Sequence, residues 1–249
     1  MPGVAGVLID SEQDLLFTSE RAAGRVSLFR CSDRTLLARV AVGAHPNALA
    51  YDGRSRRLLS FNLGEPVGTN CTASVVSVDE RRVTKTIALP GRPRWAIYDD
   101  PSRSVYANIA EPAVIGIIDA DALTMSGAIP VPAAGPHGLS IVQTEKGASL
   151  WCAADAGTLA VIDRDSRTVE ATLPLPGSPD VIMYDRDRRL YVAVGSPGTV
   201  SAFDVGRRVQ VETIRTEDGA HTIGWDPASR RLFVFQPKSC GVAIYEESA

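Results

Sequence analysis

Two of the three histidines in this 249-residue chain flank one aspartate at similar distances, His137 lying 43 residues before Asp180 and His221 lying 41 residues after it. Imidazole changes charge near neutral pH, and a carboxylate beside it can orient it, so these residue types suit general acid and base work. Two imidazoles and a carboxylate are also a donor set for one divalent ion, with Zn²⁺, Mn²⁺ or Fe²⁺ compatible and positions left for water or substrate. Such an ion would lower the pKa of bound water or polarise a carbonyl. Either chemistry requires the fold to bring together residues that the chain holds far apart.

The same spacing continues toward the N-terminus. Arg94 lies 43 residues before His137, Asn47 lies 47 before Arg94, and Ala5 lies 42 before Asn47. Arg94 has the planar fork that holds a carboxylate or phosphate, and Asn47 offers a neutral donor and acceptor. His45 sits in the turn just before Asn47. Four acidic residues occupy a second recurring position: Glu20, Glu65, Glu111 and Asp155. Glu111, followed by the loop-stiffening Pro112, is the candidate catalytic carboxylate among them. Glu20, Glu65 and Asp155 are expected to be solvated loop carboxylates. The second repeat carries an insertion, Leu63 to Thr72, of the kind that covers an active face.

The elements that must position these residues recur every roughly 43 residues. A short apolar strand ends in Asp at Gly6–Asp10, Leu49–Asp52, Ala96–Asp99, Val181–Asp185 and Ile223–Asp226, and His137–Val142 fills the same slot without the Asp. After each copy come a polar turn and a second apolar run, such as Leu15-Leu16-Phe17 or Leu190-Tyr191-Val192. A third, alternating run follows, as in Val26–Phe29 and Val242–Tyr245, and period two marks it as a strand with two unlike faces. A fourth run, for example Leu36–Val42, Val83–Leu89 and Val169–Leu175, closes each of the first five units. No helical period of comparable length competes. Four antiparallel strands per repeat make a propeller blade. The expected fold is therefore all-β, a single β-propeller domain over 1–249 with six blades of four antiparallel strands, the last blade being cut to three. In that fold the first residues of the innermost strands ring the mouth of the central channel. The loops between second and third strands return to the same mouth.

Units such as Val161 to Val194 resemble the YVTN-type β-propeller repeat, which is related to lactonase-like propellers, and the resemblance covers essentially the whole chain. It implies a propeller whose ligands sit at the starts of the innermost strands. Asn47 and Asp180 suit that plan. Blade one departs from it, with Ala5 where the lactonase-like pattern has a Glu. The repeat itself serves enzymes, binding proteins and scaffolds alike.

Composition removes some function classes. With 26 basic against 29 acidic residues and the basic ones scattered, nucleic acid is a poor partner. No window is apolar enough to span a membrane, and the opening residues lack a leader's charged and apolar regions. A cytoplasmic location is expected, or a periplasmic or secreted one if a leader was trimmed. The four cysteines lack CxxC spacing and are expected as free thiols, Cys152 in the core and Cys31, Cys71 and Cys240 in turns or loops. The Arg-Arg pairs at 56–57, 81–82, 188–189, 207–208 and 230–231 are expected as solvated turn charges. Trp95, Trp151 and Trp225 are expected to pack between blades.

Two functions from different classes follow. One is a small-molecule enzyme at the channel mouth, a hydrolase, lyase or cyclase acting on a polar or anionic metabolite. His137, Asp180 and His221 would bind metal or exchange protons, with Glu111 as a further carboxylate and Arg94 and Asn47 holding substrate. The other is a non-catalytic propeller that binds a protein or ligand on its loop face. A solvated, hydrogen-bonded channel lining would place the same polar residues there without either function.

Overall fold

The computed structural model describes residues 3–144 and 147–246. Among them are 23 strands and a single turn of 3-10 helix at Arg21–Ala23. The strands form five four-stranded antiparallel sheets and a sixth of three strands, each in plain sequence order. Every innermost strand is where the repeat predicts: Val4–Asp10, Pro46–Asp52, Pro93–Asp99, Pro136–Thr144, Pro179–Tyr184 and Ile223–Asp226. Proline opens four of them, at a first position that needs no ladder donor. The sheets group into two compact units, Met1–Pro130 with blades one to three and Val131–Ala249 with blades four to six.

Within each unit, burial on both faces of the middle strands explains their apolar character. In the first unit, Phe17, Val26 and Leu28 of blade one pack with Leu49, Tyr51, Leu58 and Val76 of blade two. Leu59, Phe61 and Val75, on the other face of blade two, pack with Ala96, Val105 and Ile118 of blade three. In the second unit, Trp151, Leu159 and Val161 of blade four meet Ile182, Leu190, Val192 and Phe203 of blade five. Each such side chain contributes about 1.5–3 kcal/mol on burial. Aromatic pairs cross between blades as well, with ring centroids 4.8 Å apart for Phe17 and Tyr51 of blades one and two and 5.4 Å for Tyr191 and Trp225 of blades five and six.

The aspartates that end the innermost strands tie the following turns. Asp52 Oδ1 accepts the backbone N–H groups of Arg54 and Ser55, and Asp185 Oδ1 accepts those of Asp187, Arg188 and Arg189. These turns place arginine in the left-handed region, at Arg56, Arg103, Arg186 and Arg230 among others. Four of the paired arginines, Arg56, Arg57, Arg208 and Arg230, are not the merely solvated charges expected from sequence, because their length spans the gap between neighbouring blades, whereas Arg82, Arg188, Arg189 and Arg231 pair within their own blade. Arg56 reaches Gln13 of blade one, Arg57 donates to the Ala120 carbonyl of blade three at 3.3 Å, and Arg208 meets Glu170 of blade four at 2.6 Å. Arg103 of blade three forms the most enclosed of these links, with the fully buried Asp52 of blade two at 3.1 Å.

One further expectation is corrected by burial. Glu20 is fully enclosed, receiving Arg25 at 2.7 Å and the Ser27 hydroxyl, because it ends a strand instead of entering the loop. Cys71 lies in a loop as expected but is buried, its thiol donating to the Leu63 carbonyl at 3.2 Å. All four cysteines are free thiols. The third position of the third strand is a buried serine in blades one, two and five, and its partner varies. Ser27 has Glu20 and Ser74 has Asn62, whereas in the blade of Ser201 the second strand ends in Val194, and its hydroxyl has no partner among the described residues.

Burial raises the pKa of Asp52, but hydrogen bonds from Arg103 and Ser55 outweigh that effect and hold it below the usual carboxylate range. A depressed folded-state pKa gives stability that is present above the unfolded value of about 3.9 and is lost as pH falls through the folded value. Arg103→Met is expected to cost about 3 kcal/mol at neutral pH, by stranding a buried carboxylate. Urea titrations should show that cost shrinking below about pH 4, as Asp52 takes up a proton. Ser201→Ala, which removes an unsatisfied hydroxyl, should instead raise stability by about 1 kcal/mol, seen by calorimetry as a melting point about 3 °C higher.

Candidate functional site

Backbone register, not side-chain attraction, brings the candidate residues of the second unit together. Gly138 follows His137, and a Cβ built on it would lie 2.3 Å from the Asp180 carbonyl oxygen, so only glycine lets the two innermost strands come this close. One blade on, the N–H of Val181 donates to the His221 carbonyl at 3.4 Å. The same register recurs in the first unit, where Gly6 abuts the Asn47 carbonyl and Ser19 bridges the two strands. Thus, within each unit, first-position residues are held against their counterparts one blade away.

The result is a chain of four side chains. His137 Nδ1 lies 2.9 Å from Asp155 Oδ1 and its Nε2 lies 3.2 Å from Asp180 Oδ1. Asp180 Oδ2 in turn lies 3.8 Å from His221 Nε2. Asp155 also accepts the Ser178 hydroxyl at 3.0 Å, and its backbone N–H is fixed to the Gly135 carbonyl. His137 is the most enclosed member, at 19% side-chain exposure, and His221 the most open, at 53%.

Hydrogen-bond bookkeeping separates the two histidines. A ring that meets a carboxylate at each nitrogen satisfies both only by donating from both, which is the imidazolium form. His137 is in that position. His221 Nδ1 faces the Gly219 carbonyl at 2.7 Å, and a carbonyl can only accept, so Nδ1 carries a proton, while Nε2 lies 3.8 Å from Asp180, beyond hydrogen-bond distance. Asp180 therefore stands between a ring it holds closely and a ring whose Nε2 it does not engage. Among the described residues no group of three or more His, Cys, Asp or Glu side chains is arranged to hold a metal ion.

Asn47, Arg94 and Glu111 belong to the first unit, whereas His137, Asp180 and His221 belong to the second. The Asn47 amide is engaged within its own unit, donating to the Arg94 carbonyl at 3.0 Å and accepting from Arg21. Arg94 is half-buried. Glu111 is exposed, and its carbonyl packs where Gly91 lacks a side chain. His45 holds the inserted loop of blade two, with Nδ1 at 3.0 Å from the Gly64 carbonyl and 3.2 Å from Glu65. His221 lies two residues ahead of its strand, because that strand starts at Ile223 and Ala220 takes the place of the strand-opening proline.

Sequence reasoning missed Asp155 and Ser178. Asp155 was expected to be a solvated loop carboxylate, yet it is the nearest partner of His137. Its signal was its loop, which follows the second strand of His137's own blade and so returns to the start of the first.

No protein-family model matches the chain. No curated protein matches it. Among solved structures, a chain of Kuenenia stuttgartiensis hydrazine synthase superposes with a TM-score of 0.68, covering 100% of this chain and 96% of that chain at 16% identity. At that identity the likeness concerns the fold alone. Together with the six sheets in sequence order, it makes this chain an all-β, six-bladed propeller whose last blade has three strands.

Proposed function

We propose that the Asp155–His137–Asp180–His221 chain is the active centre of a small-molecule enzyme of hydrolase or lyase type, acting on a polar metabolite. The observation that carries the reading is Asp180 standing between two imidazoles, 3.2 Å from His137 Nε2 and 3.8 Å from His221 Nε2. In this reading His221 Nε2 takes a proton from an attacking water or from carbon next to a carbonyl. His137, charged between its two carboxylates, gives a proton to the leaving group or to the developing oxyanion. Asp155 fixes the His137 ring, and Ser178 fixes Asp155. The resemblance of the repeat to YVTN-type and lactonase-like propellers supports placing a ligand at the starts of the innermost strands.

A divalent ion remains a proposal of the second rank. It would require His137 to give up one carboxylate and His221 to turn its Nε2 toward the same point. Nothing in the proton-transfer reading passes through it.

Turnover of a panel of lactones, esters and β-elimination substrates tests the proposal. A substrate found in this way should show a bell-shaped pH dependence. His137→Asn and His221→Asn should each lower kcat by about 10²–10⁴-fold, with His221→Asn removing the limb in which the base loses its proton. Unchanged rates in both variants would sink the assignment. Chelator treatment is expected to leave the rate intact. A loss restored by Zn²⁺ or Mn²⁺ would move the chemistry to a metal.

A further inference from the structure

The turn between the third and fourth strands of blade five reaches back over the seam with blade four, where Arg208 meets Glu170 at 2.6 Å. Blade two repeats that turn. Val78 and Val205 each donate a backbone N–H to the carbonyl of an arginine, Arg56 or Arg188, and three residues after each valine comes an arginine in the left-handed region, Arg81 or Arg208. The position of the acid is also equivalent. Glu170 follows Val169, which pairs with Ile162, and Leu37 follows Leu36, which pairs in the same way with Phe29. Blade one thus offers Leu37 where blade four offers Glu170, and the Arg81 guanidinium makes no hydrogen bond or ion pair among the described residues.

The seam beside Arg81 is not filled. A cavity of about 190 Å³ opens between blades one and two, walled by Leu15, Leu28 and Leu37 of blade one and Val78 of blade two, with Arg81 and the Arg56–Asp79 pair on its polar side. Arg56 and Asp79 satisfy each other at 2.7 Å, which leaves Arg81 as the cation in surplus. At the next seam the equivalent places are filled from within. Arg57, at the position of Leu15, crosses to the Ala120 carbonyl, and Leu123, at the position of Arg81, packs against the core of blades two and three. Protein interiors leave few voids larger than a water molecule, and an apolar cavity of about 150 Å³ accepts a benzene. The space at the first seam therefore has room for one ring and a small charged group.

We propose that this cavity binds a small aromatic carboxylate, with its ring against the three leucines and Val78 and its carboxylate taking on Arg81 the place that Glu170 holds on Arg208. The planar fork of the guanidinium suits that group. The site lies within the first unit and shares no residue with the Asp155–His137–Asp180–His221 chain, so it stands or falls apart from the reading of that chain.

Calorimetric titration of the whole chain with benzoate, and with benzyl alcohol as the uncharged ring, tests the proposal. Benzoate should bind in the millimolar range or tighter, and benzyl alcohol about tenfold more weakly or worse, as for loss of a charge-assisted hydrogen bond. Arg81→Gln should weaken benzoate by about tenfold or more. Leu37→Glu should abolish benzoate binding, because it gives Arg81 the internal carboxylate that Arg208 already has. Arg81 is exposed and Leu37 half-buried, so both variants should fold, which circular dichroism checks. A wild type that fails to bind benzoate at tens of millimolar overturns the proposal. So does equal affinity for benzyl alcohol, or benzoate binding that Arg81→Gln leaves unchanged.

Discussion

In blades one, two, five and six the turn that follows the innermost strand is closed by an aspartate accepting backbone N–H groups, and much of the blade geometry depends on it. A free strand end could continue, bulge or slip, whereas a carboxylate that collects N–H groups selects one tight turn. In blades two, three and six the turn places an arginine, Arg56, Arg103 or Arg230, in the left-handed region, and its long side chain crosses to the preceding blade. Asp52 shows both roles at once, capping its own turn through Arg54 and Ser55 while receiving Arg103 from blade three. Local turn chemistry and packing between blades are thus joined in one side chain.

At the other end of the same strands, the contact between blades is made by backbone. Gly138 against the Asp180 carbonyl, Gly6 against the Asn47 carbonyl and Val181 N–H on the His221 carbonyl hold the strand starts in step without using a first-position side chain. The side chains at those positions are left to do other work. In the first unit Asn47 spends its amide on further cross-links. In the second, His137, Asp180 and His221 combine with Asp155 into an alternating series of rings and carboxylates.

Much of this was legible in the sequence because a repeat encodes place. The recurring Asp, the alternating third run and the regular steps between His137, Asp180 and His221 located every blade and predicted that these three residues would be neighbours. What the repeat does not encode is what the neighbouring blade offers. Asp155 and Glu20 occupy similar loops by sequence, yet one meets His137 and the other is sealed under Ser27 and Arg25. Arg56, Arg57 and Arg208 looked like solvent-facing turn charges because nothing in their own segment shows an acceptor one blade away. His221 was assigned to a strand that starts two residues later, since Ala220 lacks the constraint that proline gives the other strand openings.

Blade six combines the shortest innermost strand, Ile223–Asp226, with an outer edge that carries no fourth strand among the described residues. A sheet with fewer ladders ties its backbone with fewer hydrogen bonds and opens at lower free-energy cost than its neighbours. His221 stands at the entrance to that blade, whereas His137, Asp155 and Asp180 belong to two four-stranded sheets. Opening of the last blade would withdraw one imidazole from Asp180 and leave the other in place, so one side of the site is anchored more firmly than the other.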